Sequence, residues 1–379
     1  MQQLEPSDRL ALIERNTAEV MGRDGLHKLL ATPTRIQHYI GYEISGKVHL
    51  GSGLVAMGKV RDFLAAGVSC SVLLADWHTW INDKLGGDRD VIRRIATGYF
   101  TEAMRASLLC VGADPSRLRF VLGTDLYAAE PDYWATVLDV SRHTTLARML
   151  RSISIMGREQ SDSVDFAKLV YPAMQAADIF AQGVNLAHSG TEQRKAHVIA
   201  RDVATRIRTH QLLDSNGRVI KPAAVHHSLL LGLRKPPVWP LPEDVDPATL
   251  KMSKSDPQSA VFVHDSPDSI RRSVARAFCP PEETRFNPVL DWFEKLVFAL
   301  GDSPVRIEGR NGTGGGSFDT FTELRDAYGR GLVHPGDAKT ALADRLVDRL
   351  EPARAHFADP ERAAMLADVE AVLTPARRG

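Results

Sequence analysis

The sequence predicts an α/β fold, a doubly wound parallel sheet with a C-terminal α-helical domain. Three observations carry that reading. Short β-rich runs alternate with longer segments of helical spacing up to about residue 260, which argues for parallel strands with helices on both faces. The first such run leads into a glycine-rich turn, and ligands bind in the turns at the carboxyl ends of strands in these sheets. Beyond residue 260 the texture becomes helical.

Taken in order, residues 5–31 repeat Leu10, Ile13, Val20, Leu26 and Leu30 at near-helical intervals. The phase slips at Gly22 and Gly25, and Pro33 ends the segment. RIQHYIGYE (35–43) reads as a strand, followed by GKVHLGSG (46–53) and a helix over 54–66. VSCSVLLAD (68–76) and RFVL (119–122) are further strands, with a helix over 88–111 between them. Helices are expected over 133–156, 166–180 and 191–208, with the apolar run GVNLAHSG before the last. The proline-rich stretch 235–247 is an irregular connection, and AVFV (260–263) is a small strand. Ser266 is the expected N-cap of a helix over 267–278, and helices follow over 288–300, 320–330, 336–350 and 360–373. The loop GRNGTGGGS (309–317) is the one low-complexity piece.

Composition narrows the class. The chain has 379 residues, 44% hydrophobic and 25% charged, enough for a large core. Its 47 Lys and Arg balance 47 Asp and Glu, so bulk charge gives no argument for nucleic-acid binding, although a local basic face remains open. Three scattered cysteines fit reduced, buried thiols. The polar N-terminus does not resemble a signal peptide, and no apolar run has the length of a membrane span; a soluble, cytoplasmic protein is expected.

Two motifs suggest chemistry. His49 and Gly51 occupy the turn after the first strand, and KMSKSDP (251–257) forms a cationic loop whose lysines suit phosphate oxygens. Each alone fits a solvated turn or a local hydrogen bond. Together and in this order they resemble the class I aminoacyl-tRNA synthetases, which bind ATP between an H-x-G-H turn and a K-M-S-K-S loop. This chain has Ser52 where the second histidine would stand. YIGYEISGKVHLGSG, LLADWHTWINDKLGG, YPAMQAADIF, GTEQRKAHVIAR and KMSKSDP are similar to the archaeal and eukaryotic branch of tyrosyl-tRNA synthetases, and the likeness extends over about 35–357.

The resemblance implies a class I Rossmann-like domain over 34–260, with a helical connective insertion at about 125–165 and the KMSKS loop at 251–255. An N-terminal helical segment (1–33) precedes it, and a C-terminal helical anticodon-binding domain (261–379) follows, with an extension after 357. It implies that His49, Lys251 and Lys254 act in catalysis. Gly46, His49, Gly51, Ser52, Gly190, Glu192, Met252, Ser253, Lys254 and Ser255 would bind ATP, which is accompanied by Mg²⁺; no tightly bound cofactor or protein metal site is expected. Tyr171, Gln175 and Gln193 would receive the tyrosine ammonium, and Tyr39 and Asp178 the phenol hydroxyl, with Gly41, Glu43 and His78 in the same pocket. Tyr171, Gln175 and Asp178 stand at i, i+4 and i+7, on one helix face. QAAD, where tryptophanyl relatives usually have proline in place of the aspartate, points to tyrosine. His334 and Asp337 in LVHPGD resemble the anticodon-reading region.

Bland readings stand beside several of these. Glu192 and Asp337 are also ordinary acidic residues at helix starts. His78 is equally a packed or capping histidine. The expected partners are tRNA(Tyr), L-tyrosine, ATP and a second copy of the chain. The alternatives are a paralogue that activates a tyrosine analogue or tryptophan, and a non-catalytic tRNA-binding homologue.

Overall fold

The computed structural model describes residues 4–156, 165–245, 250–252, 259–309 and 314–374. Six strands make the main sheet: β1 (Glu19–Met21), β2 (Gln37–Tyr42), β3 (Ser69–Leu74), β4 (Leu118–Leu122), β5 (Leu186–Gly190) and β6 (Ala223–His227). Their order is β1-β6-β5-β2-β3-β4, parallel except where β1 runs against β6. From β2 the chain winds outward through β3 to β4, then returns to the other side of β2 as β5 and β6. Order therefore reverses between β2 and β5, the point in such sheets where a crevice opens above the strand ends.

β3 is buried along almost its whole length and β5 throughout, as apolar strands covered on both faces should be. Helices Ala56–Ala65 and Thr101–Cys110 cover one face around Phe63, Met104 and Leu108, all fully buried. Helices Phe166–Ala181 and Arg194–Val203 cover the other around Ile179, Phe180 and Ile199. All three cysteines are free and buried, as expected.

Several elements differ from the sequence reading. The 1–33 segment is not wholly helical: between helices Pro6–Glu14 and Arg23–Leu30 it gives β1 to the sheet. Gly22 at φ +78° makes the break, and the slipped periodicity was the trace of that strand. The helix expected over 133–156 is two, Tyr133–Arg142 and Leu146–Ser152, the second capped by Thr145, whose hydroxyl accepts from the Arg148 N–H. AVFV belongs to no sheet. It pairs with the glycine-rich turn: Leu50 N–H donates to Val261 O at 3.0 Å and Val263 N–H to Val48 O at 3.1 Å. Ser266 caps helix Pro267–Ala275 as expected. The C-terminal part also holds an antiparallel hairpin, β7 (Val305–Glu308) with β8 (Gly315–Phe318), and a helix Glu351–Phe357 that periodicity did not separate. No helix among the described residues is long and apolar enough to cross a membrane.

Candidate active site

A cavity of about 590 Å³ opens above the carboxyl ends of β2, β3, β5 and β6. One end is built by helix Phe166–Ala181. Tyr171, Gln175 and Asp178 all line the cavity, as their shared helix face requires. The Tyr171 hydroxyl donates to Glu43 Oε1 at 2.7 Å, and Asn82 Nδ2 donates to the same carboxylate at 3.0 and 3.2 Å. Gln175 Nε2 donates to Gln193 Oε1 at 3.2 Å, while Gln193 donates to Ile155 O at 2.9 Å. That chain leaves Gln175 Oε1 buried without a partner. An orphaned carbonyl of this kind costs free energy until a donor reaches it.

Asp178 is 1% exposed, and burial raises its carboxyl to about 7. The Tyr133 hydroxyl donates to Oδ1 at 2.9 Å. His78 Nε2 lies 3.6 Å from Oδ2, but burial lowers this imidazole to about 3, so the two do not form an ion pair at neutral pH. His78 packs edge-on against Tyr171, at 4.5 Å between ring centres, and lines the cavity. It is both a packed histidine and a wall of the site. Tyr39 is buried, its hydroxyl 3.5 Å from Gln175 O, and burial followed by the charge of Asp178 raises its phenol well above the ordinary value. Gly41 and Glu43 complete this wall from the end of β2.

The other end holds the glycine-rich turn. His49 Nδ1 accepts from Gly51 N–H at 3.1 Å and Ser52 N–H at 3.3 Å. Nδ1 is thereby an acceptor, which puts the proton of the neutral ring on Nε2. Ser52 Oγ donates to His49 O at 3.2 Å, so its hydroxyl holds the turn. A Cβ on Gly53 would lie 2.6 Å from Val263 Cγ1 and 2.8 Å from Ser107 Oγ, which is why the turn packs so closely there. Glu192, Gly190 and Gln193 approach from β5. Glu192 Oε2 is buried without a partner. Lys251 and Met252 also line the cavity, Met252 N–H donating to Leu230 O at 2.7 Å. Ser253, Lys254 and Ser255 lie outside the described residues.

One residue expected at the ATP site falls outside the cavity wall. Gly46 is not in its wall; at φ +136° it turns the chain beside Leu373. His334 and Asp337, expected at the anticodon, stand at the start of helix Pro335–Arg349 in the C-terminal part. His334 Nδ1 accepts from Gly336 N–H at 3.0 Å and caps the helix, and Asp337 is buried in its first turn. Sequence reasoning missed Tyr133, Asn82, His227 and Leu373, which touch or line the site. Tyr133 and Asn82 reach it through tertiary packing, with no motif to mark them.

The chain belongs to the class I tRNA synthetases for tryptophan and tyrosine, whose family model matches residues 32–351. Relatives that share nearly half of its residues are tyrosine–tRNA ligases. It is 49% identical over 355 residues to a tyrosine–tRNA ligase of Thermococcus sibiricus, covering 92% of this chain and 94% of the relative. It is 48% identical over 356 residues to that of Pyrococcus furiosus, with the same coverage of both. The crystal structure of the tyrosyl-tRNA synthetase of Pyrococcus horikoshii with L-tyrosine superposes at a TM-score of 0.91, with 45% identity, over 96% of this chain and all of that one.

Proposed function

We infer that the chain is a tyrosine–tRNA ligase, activating L-tyrosine with ATP and then esterifying tRNA(Tyr). The observation that carries the choice of amino acid is Asp178, a buried carboxyl in the cavity wall beside Tyr39 and Tyr133. A phenol hydroxyl offers such a group a further donor, whereas phenylalanine offers none. Proline at this position, as in tryptophan enzymes, would offer no acceptor.

In the first step the tyrosine carboxylate attacks the α-phosphorus of ATP in line, forming tyrosyl-adenylate as the bond to pyrophosphate breaks. In the second, a hydroxyl of the terminal tRNA adenosine attacks the activated carbonyl and AMP leaves. Catalysis by this chain is positioning and charge stabilisation. Gln175 Oε1 and the Tyr171–Glu43 pair receive the ammonium. His49, through Nε2–H, donates to phosphate oxygens. Lys251 and Lys254 neutralise the departing pyrophosphate, and Mg²⁺ enters with the triphosphate as part of that substrate. Glu192 accepts from the ribose. His334 and Asp337 meet the anticodon.

The enzyme acts as a homodimer in the cytoplasm. Supporting the dimer, Trp134, Leu138, Leu146, Leu150 and Phe166 are exposed in and beside the connective insertion, and exposed apolar side chains that cluster mark interaction surfaces. ATP–pyrophosphate exchange across all amino acids is the decisive experiment. Exchange with tyrosine and charging of tRNA(Tyr) support the reading; exchange driven only by tryptophan overturns it.

A further inference from the structure

A row of three histidines crosses the sheet beneath the nucleotide end of the cavity. His38 on β2, His188 on β5 and His227 on β6 each step two residues toward the carboxyl edge, because His38 pairs with Leu186 and Gly190 pairs with His227. The period of two puts all three on one face. His38 Nε2 lies 3.2 Å from His188 Nδ1, and His188 Nε2 lies 2.8 Å from His227 Nδ1. Phe63 packs against the first two, at 4.8 and 5.2 Å between ring centres. Burial lowers all three imidazoles far below their ordinary value, so each carries one proton.

One proton per ring leaves two consistent arrangements, every proton on Nε2 or every proton on Nδ1. His38 Nδ1 is buried with no partner. Protons on Nδ1 would leave an orphaned N–H there, the rarer and costlier defect. The Nε2 arrangement leaves only a bare lone pair, and it gives His227, which lines the cavity and turns Nδ1 to His188, its proton on Nε2. Next to His227 stands Gly190, with Glu192 Oε2 folded over it, 2.2 Å from where a Cβ on that glycine would be. Donor and acceptor together suit a nucleoside.

We propose that His227 donates a hydrogen bond through Nε2–H to the nucleoside half of ATP, held in that tautomer by His188 and His38. The proposal rests on the ATP site described above. His188 and His38 are positioning residues that touch no substrate.

Calorimetric binding of ATP, adenosine and pyrophosphate to the full chain tests this without requiring amino-acid activation. H227A loses about five- to tenfold in affinity for ATP and adenosine, as expected for one hydrogen bond, and keeps its affinity for pyrophosphate. H227Q, which carries an amide donor near the position of Nε2, recovers most of the loss. H188L behaves like H227A, and the double variant is no weaker than H227A, since His188 acts only through His227. Unchanged adenosine affinity in H227A, an equal loss for pyrophosphate, or multiplying losses in the double variant overturns the proposal. If H227A does not fold, H188L and H188Q decide: loss in the first with retention in the second supports it, and equal behaviour overturns it. Wild-type protein that binds adenosine through His227 but shows no tyrosine-dependent exchange overturns the tyrosine reading and leaves this one standing.

Discussion

Asp178 sets the behaviour of the amino-acid end. Its carboxyl, raised to about 7 by burial, holds a proton in the empty enzyme that it must lose to accept from a phenol. The KM for tyrosine therefore falls as pH rises toward about 7 and then levels; D178N abolishes that dependence and weakens discrimination against phenylalanine. Steady-state exchange kinetics at pH 5.5–8.5 (roughly the range where this carboxyl titrates) check both. The same proton links to stability. Because the folded value is raised, the native state binds the proton more tightly than the unfolded chain does, so ionisation destabilises the fold as pH rises from the ordinary carboxyl range to about 7. At the other end of the cavity, His49→Ala removes the proposed phosphate donor and the acceptor for two backbone N–H groups. Its exchange rate should fall by about 100-fold or more, on the scale of losing one preorganised oxyanion donor. Ser52→Ala removes only a bond to His49 O and should be milder. A reversed order would show that the turn does not work through the imidazole.

At the scale of elements, the turn after β2 tolerates no side chain at Gly53. Gly53→Ala forces its Cβ against Val263 and Ser107, both in a packed interior, and overpacking of this sort costs about 1–3 kcal/mol. A lowered melting temperature with a raised KM for ATP is the expected outcome. The same scale explains what the sequence made legible. β2, β3 and β4 were readable because each is a run of five or six residues of which at least half are β-branched, aromatic or leucine. β1, three residues long, was hidden inside what read as an imperfect helix, and β6 ends in two histidines that break the apolar pattern. Those histidines are polar because His227 belongs to the hydrogen-bonded row under the cavity and His226 bonds Glu19 and His197. The β7–β8 hairpin has glycine at three of the positions Gly314–Gly316, each with positive φ, which composition alone reads as a loop. In the site, motif residues such as His49, Gln175 and Asp178 line the cavity as their spacing suggested, while Tyr133 and Asn82 carried no signal, since their contacts are set by helix packing rather than by local spacing.

In the molecule as a whole, the last helix reaches back to the nucleotide turn. Helix Pro360–Leu373 sets Leu373 against Gly46 and in the cavity wall. Glu370 meets Lys47 at 3.0 Å, and Asp368 holds Arg94 at 2.8 and 3.0 Å. Exposed ion pairs of this kind are screened by solvent and contribute little, so the buried Val369 and the Leu373 contact carry more of the docking. A chain ending at residue 359 should fold, with a melting temperature a few degrees lower, and bind ATP more weakly while tyrosine affinity stays put. Calorimetry on the truncated protein checks it; loss of tyrosine and ATP binding together would mean that the helix supports the whole sheet.

The pairing of His49 with Phe262 has a consequence for how this enzyme can be divided. The strand-like segment that completes the glycine-rich turn comes from beyond residue 259, on the far side of the lysine loop. A fragment cut at the apparent end of the α/β half would retain every motif residue of the cavity and lack the backbone that pairs with the His49 turn. Chain order and working parts do not coincide, so any excised or transplanted minimal enzyme must carry the first strand-like turn of the helical half with it.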